Sequence, residues 1–185
     1  MLALVACLVA LFGLGAPSVA AQGAPDQSAA TVIQAGDVDC GTDLSCFADK
    51  ATTCTPSAVA YTLTLDVGFL VGLQSGLLSS TTDALRLQPD PAGSGACQFN
   101  LRVQQVENRL LPEAAQALKD RGTSQADIDT AQQNMSNLGK RVEGRSGTCL
   151  FAANDLASML QYWLVGDFST GDFSAGTCQG TYFNN

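Results

Sequence analysis

Apolar and polar positions change period several times along this chain, and each period predicts a different element. Residues 1–21, MLALVACLVALFGLGAPSVAA, are apolar almost throughout and end in a proline turn and small residues. This is the order a signal peptidase reads, so a secretory signal cleaved near Ala20 or Ala21 is expected. No Lys or Arg precedes the run, which leaves an uncleaved anchor or a mis-called start codon as the alternatives. Residues 22–38 are small and polar and read as a flexible leader. From Asp43 to about Thr53 the period becomes helical: Leu44, Phe47, Ala48 and Ala51 share one face, Thr42 or Asp43 can cap it, and Pro56 ends it.

From Ala58 the period drops to two. Val59, Tyr61, Leu63, Leu65 and Val67 alternate with Ala60, Thr62, Thr64 and Asp66, a half-buried strand. Further strands of an antiparallel meander are expected over the Gly-rich stretch Phe69 to Leu78, over Asp83 to Gln88, and over Cys97 to Val103 after the hairpin turn PDPAGSG at 89–95. Pro112 begins a short helix stopped by Gly122. Ser124 and Asp127 resemble a capping box opening a second helix with Ile128, Ala131, Met135 and Leu138 as its apolar stripe. Thr148 to Phe151 reads as a strand. Asn154 then caps a helix whose stripe is Leu156, Met159, Leu160, Trp163 and Leu164. Two local echoes stand out: SG-x-C-x-F at 94–99 and 146–151, and GDFS at 166–169 and 171–174.

These elements predict a single α+β domain over residues 39–185, an antiparallel β-meander with helices packed on one face. A cystatin or NTF2-like roll has this shape, an analogy of fold that says nothing of function. No segment after the signal approaches the ~20 apolar residues needed to span a bilayer, so no membrane span is expected in the mature chain. Leu4-Val5-Ala6-Cys7 fits a lipoprotein box by residue type. The apolar run continues past Cys7, however, and a lipid anchor there is not expected.

The signal accounts for Cys7, leaving Cys40, Cys46, Cys54, Cys97, Cys149 and Cys178. An even count in an exported chain points to disulfides. Six cysteines permit 15 pairings, which sequence does not decide among. Proximity suggests Cys40 with Cys46; Cys54 with Cys97 and Cys149 with Cys178 are the pairs expected for the rest. The C-x5-C and C-x7-C spacings and the absence of histidine disfavour zinc, and no metal or other cofactor is expected.

Composition narrows the function. Nine basic against 17 acidic residues give a formal net charge of −8, which repels phosphate backbones, so nucleic acid is not an expected partner. Without histidine there is no Ser-His-Asp triad or Cys-His dyad. A carboxylate pair in a glycosidase-like cleft remains open, although one tryptophan and 6% aromatic residues make a poor sugar platform. Asp37, Asp39 and Asp43, and separately Asp167 and Asp172, are oxygen-rich loops of a kind calcium uses, but turn and cap roles are expected for them.

The motif Cys40-Gly41-Thr42-Asp43-x-x-Cys46-Phe47, then Cys54-Thr55-Pro56, and the ending Cys178-Gln179-Gly180-Thr181-Tyr182-Phe183 resemble small exported cysteine-containing proteins and lipoproteins of prokaryotes to which no function is assigned. The resemblance implies a secreted, periplasmic or cell-surface α+β domain and brings no catalytic residue with it. The expected function is an exported, non-catalytic binding or scaffold module for a protein or apolar ligand, with the apolar stretch 67–78 as a candidate pocket lining. The alternatives are a carboxylate-dependent hydrolase or accessory enzyme and an inhibitor or partner-binding protein.

Overall fold

The computed structural model describes residues 33–183. The expected signal with its cleavage site, Cys7 and the leader up to residue 32 lie outside the described residues. Six strands form one sheet in sequence order: β1 (Val38–Asp39), β2 (Ser57–Asp66), β3 (Leu77–Pro89), β4 (Cys97–Leu110), β5 (Ser146–Phe151) and β6 (Thr177–Gln179). Only β1 runs parallel to its neighbour; the rest are antiparallel, so the expected meander is present within a mixed sheet. Among the described residues four α-helices accompany it, α1 (Leu44–Ala51), α2 (Pro112–Asp120), α3 (Gln125–Val142) and α4 (Ala153–Leu164).

The period-two strand holds as read. Tyr61, Leu63 and Leu65 follow Val59 on one face of β2, which we call inner; Thr62 and Thr64 sit on the outer face. There the hydroxyls pair across strands, Thr62 with Thr82 at 2.9 Å and Thr64 with Ser80 at 2.8 Å. α1 also forms as expected: the Asp43 carboxylate accepts from the Ser45 and Cys46 N–H groups, and Leu44, Phe47, Ala48 and Ala51 are all buried. α1 and α4 cover the inner face where β2 begins and β3 ends. The core there joins Phe47, Phe99, Phe151, Leu85, Leu87, Leu156 and Leu160. Phe99 is its hub, with the rings of Phe47, Phe151, Trp163 and Phe173 all at 6.2–6.4 Å.

The SG-x-C-x-F echoes turn out to be antiparallel neighbours. Cys97 faces Phe151 and Phe99 faces Cys149, so each strand offers a cysteine opposite the other's phenylalanine. The GDFS tandem sets Phe168 and Phe173 against Trp163, at 6.0 and 5.7 Å between centroids. Trp163 Nε1 donates to the Gly171 carbonyl, and Gly171 approaches so closely that a Cβ there would meet the indole.

Several expectations need correction. Phe69 to Leu78 is not a strand: Gly68–Val71 is a single 3₁₀ turn, and β3 starts only at Leu77, then runs unbroken through Asp83 to Pro89. The Asp66 carboxylate explains the tight turn, accepting from the N–H groups of both Gly68 and Gly76. α3 begins at its Ser124 cap, but its buried positions are Ile128 and Gly139, while Leu138 is 58% exposed. The helix crosses β4 at Gly139, where a Cβ would stand 3.0 Å from the Val106 side chain, which would have to give way for any larger residue. Asn154 does not cap α4; Ala152 holds the cap position without a side-chain bond. The expected flexible leader is structured from Gln34 on: a turn leads into β1, and Asp37 pairs with Arg86 at 2.7 Å. Among the described residues no helix is long and apolar enough to cross a membrane.

Candidate functional site

Strand parity puts Leu77, Ser79, Thr81, Asp83, Leu85 and Leu87 of β3 on the inner face. Asp83 therefore points the same way as the core leucines. Tyr61 of β2 and Val103 of β4 flank it in register. At the same place β4 carries one extra residue, Gln104, between the partners of Thr82 and Asp83, a bulge of the kind that bends a strand and re-aims its side chains. The bulge marks the end of the β4–β5 ladder, whose last pair is Arg102 with Ser146.

The Asp83 side chain is largely desolvated, and its Oδ1 is buried without a hydrogen-bond partner among the described residues. Burial alone pushes its pKa from 3.8 up to about 6; no neighbouring charge contributes. The Tyr61 and Tyr182 phenols are raised as well, first by burial and then by the charge of Asp83. Tyr61 stacks on Trp163 at 6.4 Å with 20° between the planes. An acid thus sits beside Tyr61, and within the electrostatic reach of Tyr182, where the core ends. Ser57 Oγ is the other buried side-chain oxygen without a partner among the described residues, but it is sealed at the base of the core.

The C-terminal segment supplies the third side. Gly180 has φ +117° and passes within 2.8 Å, measured from an ideal Cβ, of the Gly147 Cα, a course closed to other residues. Beyond it the Ser146 N–H donates to Thr181 Oγ1 at 3.0 Å and the Tyr182 N–H donates to the Ser146 carbonyl at 2.9 Å. Phe183 then lies over Gly147 and packs on Phe173 at 5.2 Å. The Gly180-Thr181-Tyr182-Phe183 ending is in this way a clasp that brings Tyr182 toward Asp83.

The cysteine candidates are structural. Disulfides join Cys40 to Cys46, Cys54 to Cys97 and Cys149 to Cys178, with Cα separations of 5.7, 5.3 and 4.1 Å. Those are the pairs suggested above. The aspartates of the two oxygen-rich loops are each committed to the chain itself. Asp37 holds Arg86 and stays below its usual pKa chiefly through that hydrogen bond. Asp39 accepts from Gly41 N, Asp43 caps α1, and Asp172 accepts from Ser174 N. Asp167 accepts from the Thr170 and Ser169 N–H groups and from the Ser169 hydroxyl, which holds its pKa down to about 2.

Two surface depressions lie on the other side of the sheet. One, of about 350 Å³, surrounds Arg86, whose guanidinium is already bonded to Asp37, Gln34 and Gln88. The second, of about 120 Å³, lies over Ala58, Ala60 and Ala84. Neither is lined by residues 67–78; Leu73 and Leu77 of that stretch are buried, and Phe69 is 69% exposed. Sequence reading missed Asp83 as a site residue because it took Asp83 for the start of a strand. Once β3 is read as continuous, the spacing Asp83, Leu85, Leu87 carries the signal. Compared with known proteins, the chain matches no family model, no curated protein and no solved structure.

Proposed function

We propose that the protein is an exported, non-catalytic binding module whose ligand rests on the inner face of the sheet around Asp83. The observation that carries this is the unpartnered, buried Asp83 oxygen on a face that is only half covered. Buried polar atoms in folded proteins are nearly always bonded, so an orphan acceptor beside a partly open surface suggests a group reserved for something else. Leu63 and Thr81 next to it are half-buried and Leu65 is 45% exposed, which offers apolar floor for a ligand body. Three disulfides support an oxidising compartment and a rigid base for such a site. The cysteine environments that resemble exported prokaryotic proteins support the same address.

A carboxylate-dependent hydrolase has one observation in its favour, the raised pKa of Asp83, which suits a general acid. It requires a second carboxyl within reach, and no other charge acts on Asp83. The binding reading is therefore preferred. It is tested by backbone-amide NMR of the isotope-labelled full chain against a library of small aromatic and aliphatic fragments. The expected hits shift amides of Tyr61–Leu65, Thr81–Asp83 and Val103–Val106. Hits that shift only the Arg86 side of the sheet, or no hits at all, would contradict it.

A further inference from the structure

The backbone of β2 points its hydrogen-bonding groups alternately to two sides, and part of one side is left over. The Val67 N–H donates to the Leu77 carbonyl, so the odd residues of β2 turn their N–H and C=O groups toward β3. Even residues face the other way: the Ala58 carbonyl accepts from the Cys40 N–H, and the Ala60 N–H donates to the Gly41 carbonyl. The chain then departs into α1 from its Asp43 cap. The same side of Thr62, Thr64 and Asp66 has no backbone partner among the described residues, and all three are exposed. Sheet edges in natural proteins are commonly guarded by charges, prolines or bulges. From Tyr61 to Leu65 this edge has none of them: its register with β3 is unbroken, and Asp66 is the only charged residue between Thr55 and Thr82.

The free edge is complementary to itself. Laid antiparallel against a second copy with Thr64 opposite the partner's Thr64, it sets Thr62 against the partner's Asp66 and Asp66 against the partner's Thr62. All three even residues then exchange backbone bonds, and neither Ala60, already held by Gly41, nor the turn beginning at Gly68 takes part. Centring the pair on Leu63 instead would set Asp66 against the occupied Ala60 position. On the inner face Leu63 meets the partner's Leu65 and Leu65 the partner's Leu63, which covers one side chain that is half-buried and one that is 45% exposed. On the outer face each acid lies opposite a hydroxyl rather than its own twin, so no like charges meet across the strands. Another extended peptide would find the same backbone, but the chain's own edge matches it in length, parity and charge. We propose that two copies of this chain join their sheets through the β2 edges, in a two-fold antiparallel pair centred on Thr64. The interface is small beside the ~1,600 Å² of a standard one, and each chain carries a formal net charge of −8. The dimer is therefore expected to dissociate at concentrations on the order of 10–100 μM and to tighten as salt rises. The pairing does not depend on what occupies the inner face near Asp83.

The test is sedimentation equilibrium of the full exported chain from about 5 μM to about 1 mM, with amide hydrogen exchange read at both ends of the range. The expected result is a monomer–dimer equilibrium in which the Thr62, Thr64 and Asp66 amides gain protection at high concentration. The Leu63 and Leu65 amides, turned toward β3, should be protected throughout. Thr64→Lys and Thr64→Glu each set like charges across the two-fold axis and should weaken the dimer about 5-fold or more, whereas an equimolar mixture of the two should restore it as a heterodimer. Thr64 is exposed, so both variants are expected to keep the fold, which their thermal midpoints check. Thr64→Pro removes an N–H that β3 does not use and should weaken the dimer by at least about 10-fold. A monomer across the whole range overturns the proposal, and slow exchange of the Thr62 and Thr64 amides in that monomer would assign the edge to residues 22–32 of the same chain. A dimer that neither Thr64→Lys nor Thr64→Glu weakens, or that their mixture fails to restore, overturns it as well by placing the contact elsewhere.

Discussion

In the half of the sheet under α1 and α4, the inner face carries Leu85, Leu87, Phe99, Leu101 and Phe151, all buried. Toward the far end the same strands carry Ser79, Thr81, Leu65 and Asn108, none of them buried, and Leu77 at the start of β3 is the exception. All three disulfides belong to the first half, where the core is already continuous. In the second half α3 leans chiefly on β4. Asn108 donates to the Met135 carbonyl at 3.0 Å, and Glu143 accepts from the Val106 N–H at 3.0 Å. Past Ala60 the outer edge of β2 has no strand beside it among the described residues. One half is built to hold its shape and the other to stay accessible, and Asp83 sits on the line between them. Binding surfaces are drawn from the less stable parts of a fold, so this is where a ligand site is expected.

The comparison can be broken most sharply by Phe99→Ala, which empties the hub of the core. A loss of about 3–5 kcal/mol in chemical denaturation is expected, as for other buried aromatic truncations. Replacing Cys54 and Cys97 together by alanine opens the widest disulfide loop, with a sequence separation of 43. It should cost about 2–5 kcal/mol and raise hydrogen exchange first in α1 and at the start of β4. Gly147→Ala puts a methyl where the Phe183 ring lies and should displace the C-terminal clasp. About 1–2 kcal/mol is expected, together with a change in the environment of Tyr182 visible in near-UV circular dichroism. Leu65→Ala, in the open half, should change stability by no more than about 0.5 kcal/mol. If Leu65→Ala cost as much as the disulfide, the two halves would not differ in the way described.

Much of the stapled half could be read from the residues, because there local pattern and tertiary environment agree. Asp43 ahead of Leu44, Phe47, Ala48 and Ala51 is a helix start with an apolar face, and packing on Phe99 uses that face. The open half was harder to read. The inner side of β3 runs Leu77, Ser79, Thr81, Asp83, Leu85, Leu87, and its polar middle conceals the period of two. The bulge at Gln104 has no signature in residue type and shows only as a register shift against Asp83 and Thr82. The α3 stripe was misplaced for a related reason: hydrophobic period favours Leu138, whereas close helix-on-strand approach selects Gly139. Both errors come from contacts between segments distant in the chain.

Asp83 is an uncompensated acid kept on the inner face at the expense of stability. Its pKa rises from 3.8 to about 6 on folding, so the folded chain holds the proton more tightly than the unfolded chain. Stability is unaffected by this group below about pH 4, falls as pH rises from there, and carries the full penalty above about pH 6. The most direct measurement is urea denaturation of the wild type and Asp83→Asn at about pH 4 and about pH 8. Near-equal stability is expected at the acid pH and a variant more stable by about 2 kcal/mol at the alkaline one. A variant less stable than the wild type at both pH values would mean that Asp83 has a partner in the fold, and the claim would be wrong.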